Sequence, residues 1–129
     1  MTKKTKEIRM INAKLTDDQI INLLALRYDI ILDDSQVSSS QLGSMYKRCN
    51  SGFVIAYEVP NQSIWKDKTG NVGYNTGYLG LMSEGLCTRR LVDAVVFDTK
   101  LAAIIRAIDL LSGINYGGTI LTFLQVRAE

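Results

Sequence analysis

VVFDTKLAAIIRAIDLLSG, residues 95–113, holds the switch on which the fold turns. Val95 and Val96 close a β-branched run, Arg90–Phe97, that reads as a strand together with Val92. Asp98 or Thr99 then offers a side-chain oxygen able to cap a helix. Leu101, Ile104, Ile105, Ile108, Leu110 and Leu111 recur at helical spacing and give a wide apolar stripe, with Arg106 near its edge. Gly113 is a natural C-terminal stop. Strand patterning thus gives way to helical patterning within a few residues, so the chain mixes the two.

Working outward, a short link leads from Gly113 to a last strand over Thr119–Val126. On the N-terminal side, Ile8–Leu15 alternates as a strand, with Ile8 and Met10 on one face and Ile11, Ala13 and Leu15 on the other. Thr16 with Gln19 makes a capping box, and Asp17 and Asp18 suit the positive end of a helix dipole. The first helix is therefore expected over 17–28. Leu15 and Ile20 are placed to staple its entry, and Ile20, Ile21, Leu23, Leu24 and Tyr28 form its buried stripe. Asp33–Ser40 reads as a polar loop. Strands are expected over Gln41–Cys49 and Phe53–Val59, joined as a hairpin by Asn50-Ser51-Gly52. In the second of these Phe53, Ile55, Tyr57 and Val59 share a face, opposed by Val54, Ala56 and Glu58. Pro60, the sole proline, stops the ladder.

Residues 61–85 carry glycines at 70, 73, 77, 80 and 85, interleaved with Trp65, Tyr74 and Tyr78. Asp67-Lys68-Thr69-Gly70 looks like a second hairpin tip, the rest a long loop or two short edge strands. The order becomes β-α-β-β-(hairpin or loop)-β-α-β. That is an α+β fold whose antiparallel or mixed sheet carries two helices on one face. With no internal repeat or linker, residues 1–129 are expected to form one domain, with 1–7 frayed. A chain of 129 residues buries about two-thirds of its unfolded surface without a disulfide or metal.

Composition narrows the function. A net charge of +2 falls short of the basic excess that captures a duplex, so nucleic acid is not an expected partner. The densest basic run, Lys3, Lys4 and Lys6, is followed at once by Glu7 and suits a solubilising end. Cys49 and Cys87 lack CxxC or CxxH spacing, which argues against a zinc site or disulfide framework. No segment has the apolar core of a signal peptide, and none approaches the roughly 18 apolar residues of a membrane span. A cytoplasmic chain without a membrane partner is expected. There is no histidine, which removes every Ser-His or Cys-His nucleophile pair and the commonest metal ligand. The chain is expected not to be an enzyme, with no catalytic residue, cofactor or metal assigned.

The groups left for chemistry are few. Thr88-Arg89-Arg90 places a hydroxyl beside two guanidiniums, the preferred partners of phosphate. Neighbours in a strand face opposite ways, so one arginine at most serves a given site. Plain surface solubility explains the same residues. Asn115-Tyr116-Gly117-Gly118-Thr119 could converge backbone N–H groups on an anion, with Tyr116 stacking on a base; an ordinary helix-to-strand link would look identical. Tyr78 belongs to a segment readable as an adaptable binding loop, an oligomer contact or a loose hairpin. Arg106 could face a ligand or a subunit contact. Cys87 beside two arginines lacks the phosphatase CX5R partner, since Asp93 stands there, and no P-loop, GxGxxG or HExxH pattern occurs.

The β-α-hairpin start, the glycine-rich middle and the run VVFDTKLAAIIRAIDLLSG before a final strand resemble phage anti-defence proteins that sequester the cyclic nucleotide signal of Thoeris immunity. The likeness is one of size and layout over most of the chain, and no binding residue carries over singly. It implies a non-enzymatic sponge, a dimer or larger homo-oligomer in the host cytoplasm, holding a cyclic ADP-ribose at subunit contacts. Surplus apolar surface on two helices and doubly apolar strands supports self-association separately. Two other readings stay open: a protein–protein inhibitor or adaptor gripping through the Gly/Tyr-rich loop or a sheet edge, and a small enzyme using Glu58, Asp93 or Asp98 as base.

Overall fold

In the computed structural model, which describes residues 15–60, 64–66, 72–80, 87–110 and 118–128, helix α1 spans Asp17–Tyr28. Its capping box is formed: Thr16 Oγ1 accepts from the Gln19 N–H at 3.2 Å, and Gln19 Oε1 accepts from the Thr16 N–H at 2.8 Å. The helix ends on Asp29 in the left-handed region (φ 54°), and the Ile30 N–H reaches back to the Ala25 carbonyl at 2.8 Å. Asp29 therefore occupies the place usually given to glycine. The buried side of α1 is Ile21 and Ala25, with Leu24 and Tyr28 partly covered. Leu23, expected in the stripe, is 53% exposed: the turn-to-turn contacts run through 21, 25 and 28 instead.

Strand β1 (Ile31–Ser38) follows immediately, where a polar loop was expected. It pairs in parallel with the last strand, β7 (Ile120–Arg127), from Ile31↔Ile120 to Ser38↔Arg127. Among the described residues no strand lies on its other side. Asp33, Asp34, Ser35 and Gln36 stand exposed on this edge, which needs no apolar alternation and is protected by charge.

The strand expected over Gln41–Cys49, and with it the first hairpin, is absent. Two 3-10 turns, Ser39–Gln41 and Ser44–Tyr46, occupy the segment. Ser38 caps the first, its amide bonded to Gln41 Oε1 at 3.2 Å, and the buried Ser39 hydroxyl donates to the Lys47 carbonyl at 3.0 Å. Local serine and glutamine bonds win over ladder pairing here. Strand β2 (Phe53–Glu58) matches its expected extent, with Phe53, Ile55 and Tyr57 toward the helices and Val54 on the other side.

β3 (Ile64–Lys66) and β4 (Val72–Tyr74) pair antiparallel on either side of the expected Asp67–Gly70 tip, which lies outside the described residues. β5 (Thr76–Leu79) and β6 (Cys87–Thr88) complete the main sheet, whose order is β1-β7-β2-β5-β6. Arg90–Phe97 is not the strand expected. Leu91–Asp93 forms a 3-10 turn, and Ala94 and Phe97 make only isolated bridges, to Gly80 and Phe53. The segment crosses the sheet to deliver the chain to α2 (Lys100–Leu110), so it cannot run alongside one strand. Thr99 is the cap, its Oγ1 accepting from the Ala102 N–H at 3.1 Å.

The fold is α+β with both helices on one face of a mixed sheet, although the order of elements differs as stated and the expected Ile8–Leu15 strand lies outside the described residues except for Leu15. Ala103, Ile104 and Ala107 of α2 join Ile21 and Ala25 over Ile55, Tyr57, Leu79, Leu121 and Phe123. Ile105, expected in the stripe, is 53% exposed, and the two alanines let α2 approach the sheet closely. A second cluster covers part of the opposite face, where Leu42 and Ala94 pack on Val37, Val54 and Val126.

Candidate functional site

Two clefts adjoin the sheet. On the helix-free face, register fixes a row of side chains: Ala56 of β2 is opposite Tyr78 of β5, which is opposite Thr88 of β6. The row stands at the margin of a cleft of about 240 Å³ lined by Ala56, Tyr57, Thr76, Gly77, Tyr78 and Arg89, so the cleft takes residues from both faces of the sheet at its β5–β6 side. Gly77 makes the geometry possible. A Cβ there would lie 2.6 Å from the Tyr57 hydroxyl and 2.8 Å from the Thr88 carbonyl, so only glycine lets β5 sit this close to its neighbours.

Thr88 shapes the site through the backbone. Its Oγ1 accepts from the Arg90 N–H at 3.1 Å, turning the chain so that Arg89 faces the cleft. Arg90 leaves the site: its side chain is 75% exposed and its Nε is 3.6 Å from Asp93 Oδ2. One arginine of the pair, Arg89, lies with Tyr78.

The other expected ligand residues are elsewhere. Arg106 is on α2, across the sheet, with Nη1 3.2 Å from Asp109 Oδ2 and a buried Nη2 that has no partner among the described residues. Gly118 adopts φ 78° at the end of the sheet, and its N–H donates to the Asp29 carbonyl at 2.9 Å, so that amide is engaged rather than turned to an anion. Thr119 is fully buried, its carbonyl accepting from the Ile31 N–H at 2.8 Å. Asn115, Tyr116 and Gly117 lie outside the described residues. The anticipated meeting of guanidinium and bent glycine backbone is therefore not formed by Gly118 and Arg89.

The second cleft, about 380 Å³, opens between the helices and the β1 edge. Asp18 and Asn22 of α1, Asp34 of β1 and Lys100 of α2 line it above Leu32 and Phe123. Lys100 Nζ is 2.8 Å from Asp34 Oδ1 and lies 5.3 Å from the Phe123 ring centre and 5.7 Å from that of Phe53. Sequence reasoning missed this group. One signal was present: Lys100 is the first residue of a helix, where the dipole disfavours a cation, so compensation was needed from elsewhere.

Comparison with protein-family models, curated proteins and solved structures finds no match for this chain. No helix among the described residues is long and apolar enough to cross a membrane.

Proposed function

We propose that this chain is a non-catalytic binding protein for a small anionic nucleotide, seated in the cleft beside β5 and β6. The supporting observation is the cleft shared by Tyr78 and Arg89. A phenol ring offers a platform for a base, and a guanidinium offers two parallel donors to a phosphate. Thr76 can bond a ribose hydroxyl. At about 240 Å³ the cleft is smaller than the roughly 300–1,000 Å³ usual for ligand pockets. It accommodates part of a nucleotide and leaves the rest for a second surface to cover. This agrees with the cyclic ADP-ribose sponge that the resemblance implies, in which ligand sits at subunit contacts.

Calorimetry with cyclic ADP-ribose and ADP-ribose tests the reading. Arg89→Ala should weaken binding by about 1.5–3 kcal/mol, the loss of a charge-assisted hydrogen bond. Arg90→Ala, whose side chain faces Asp93, should leave affinity within roughly twofold, as for other exposed pairs. Ligand released by heating should be chemically unchanged. Equal affinity of wild type and Arg89→Ala removes the site, and altered ligand converts the protein to an enzyme.

Self-association belongs to the same proposal. Leu15, Leu23 and Leu26 line an open apolar depression on the outer side of α1. The helix carries Asp17 and Asp18 in its first turn and Arg27 in its last, so two copies related by a two-fold axis set acid against base at both ends. The alternative of a protein partner added along the β1 edge predicts no nucleotide heat at all.

A further inference from the structure

The cleft between the helices carries an inference independent of the nucleotide reading. Lys100 is its anchor. Its aliphatic stem is two-thirds covered, its ammonium rests between two phenyl rings, and one of its three N–H donors meets Asp34. The charge is thus fixed in place before any ligand arrives, with donors to spare.

The rest of the cleft is acidic, and Asp34 belongs to it as well as to Lys100. Asp34 is 70% exposed beyond its contact with Lys100. Asp18 shares the lining, and Asn22, one helical turn further on, adds an amide that can donate or accept. Neither Asp18 nor Asn22 has a side-chain bond to another described residue. Two carboxylates and one ammonium leave a single negative charge in excess, in a chain whose overall charge is +2. A simple anion would meet Asp18 and Asp34. A simple cation would meet an ammonium that cannot swing away. A ligand with both charges answers Lys100 and the unpaired Asp18 together, and Leu32 and Phe123 give its body an apolar floor.

We propose that this cleft binds a small zwitterion of the amino-acid type. Its carboxylate lies on Lys100 and Asn22, its ammonium between Asp18 and Asp34, and its aliphatic or aromatic body over Phe123. A cleft of about 380 Å³ is within the range of small-molecule sites.

The test is a titration of the ¹⁵N-labelled full chain with the twenty common amino acids, first pooled and then singly. An apolar amino acid is expected to shift the amides of Asp18, Asn22, Asp34 and Lys100. Asp18→Asn and Lys100→Met should each weaken that binding about tenfold or more, as expected when a charged hydrogen-bond partner is lost. Methionine keeps an unbranched stem over the rings, and the spectrum reports directly whether the variant is folded. Should Lys100→Met unfold, the exposed Asp18→Asn carries the test alone. Isobutylamine and isovalerate, each holding one charge of the zwitterion valine, should bind about tenfold more weakly than valine. The proposal is overturned if no amino acid moves these four amides, if the amine alone binds as well, or if Asp18→Asn changes nothing. Arg89→Ala should leave this titration unaltered, which separates failure here from failure of the nucleotide site.

Discussion

At the scale of the residue, two positions show how little space the backbone leaves. A Cβ on Gly77 would meet the Thr88 carbonyl closer than side chains tolerate, and that carbonyl belongs to backbone that cannot rotate away. Gly77→Ala should cost about 1–3 kcal/mol, the usual penalty of overpacking, and should displace β6 and so Arg89. Chemical denaturation measures the first effect and nucleotide calorimetry the second. Asp29 tests the opposite case. Its left-handed conformation costs an L residue about 1–2 kcal/mol, partly offset for aspartate by local bonding. Asp29→Gly should raise stability by about 0.5–1 kcal/mol, whereas Asp29→Val should lower it by about 1–2 kcal/mol. Equal melting temperatures for the two variants would show that the turn is not held as described. The sequence marked Thr88, Arg89 and Tyr78 because each residue type has a recognisable chemistry. It did not mark Lys100 with Asp34, since their pairing joins residues 66 positions apart and depends on a strand that composition hides.

At the scale of the element, legibility followed the locality of the interactions. α1 was readable because Thr16 and Gln19 bond one another, three residues apart, and Thr99 caps α2 in the same local way. β2 and β7 were readable because their apolar residues fall on both faces, Ile55, Tyr57, Leu121 and Phe123 in one cluster and Val54 and Val126 in the other. β1 was not, because an edge strand with exposed Asp33–Gln36 has the composition of a loop. The valine-rich 92–96 misled for the converse reason: Ala94 and Val96 pack in the second cluster without joining a ladder, and Val92 stands exposed. Thr16→Ala therefore has a local consequence, a loss of about 1 kcal/mol in unfolding free energy. A loss below a few tenths would show that Gln19 alone secures the helix start.

At the scale of the whole molecule, a sheet covered by helices on one face and by turns on part of the other still leaves large side chains in solvent. Leu26 is 80% exposed, Leu23 53%, and both lie on the same outer side of α1 as Leu15. One exposed leucine is ordinary in any protein, but two on one side of a helix, with the half-buried Leu15 beside its start, make a surface that self-contact would remove from water. An antiparallel pairing of α1 with its copy would bury Leu23 and Leu26 twice over. Leu26→Glu adds charge to this strip without touching Ile21 or Ala25, so the fold should persist. Light scattering after gel filtration should then find a dimer or larger assembly for wild type and a monomer for Leu26→Glu, with similar circular dichroism. A wild type that is monomeric at high concentration removes the contact, and with it the second surface that the nucleotide cleft calls for.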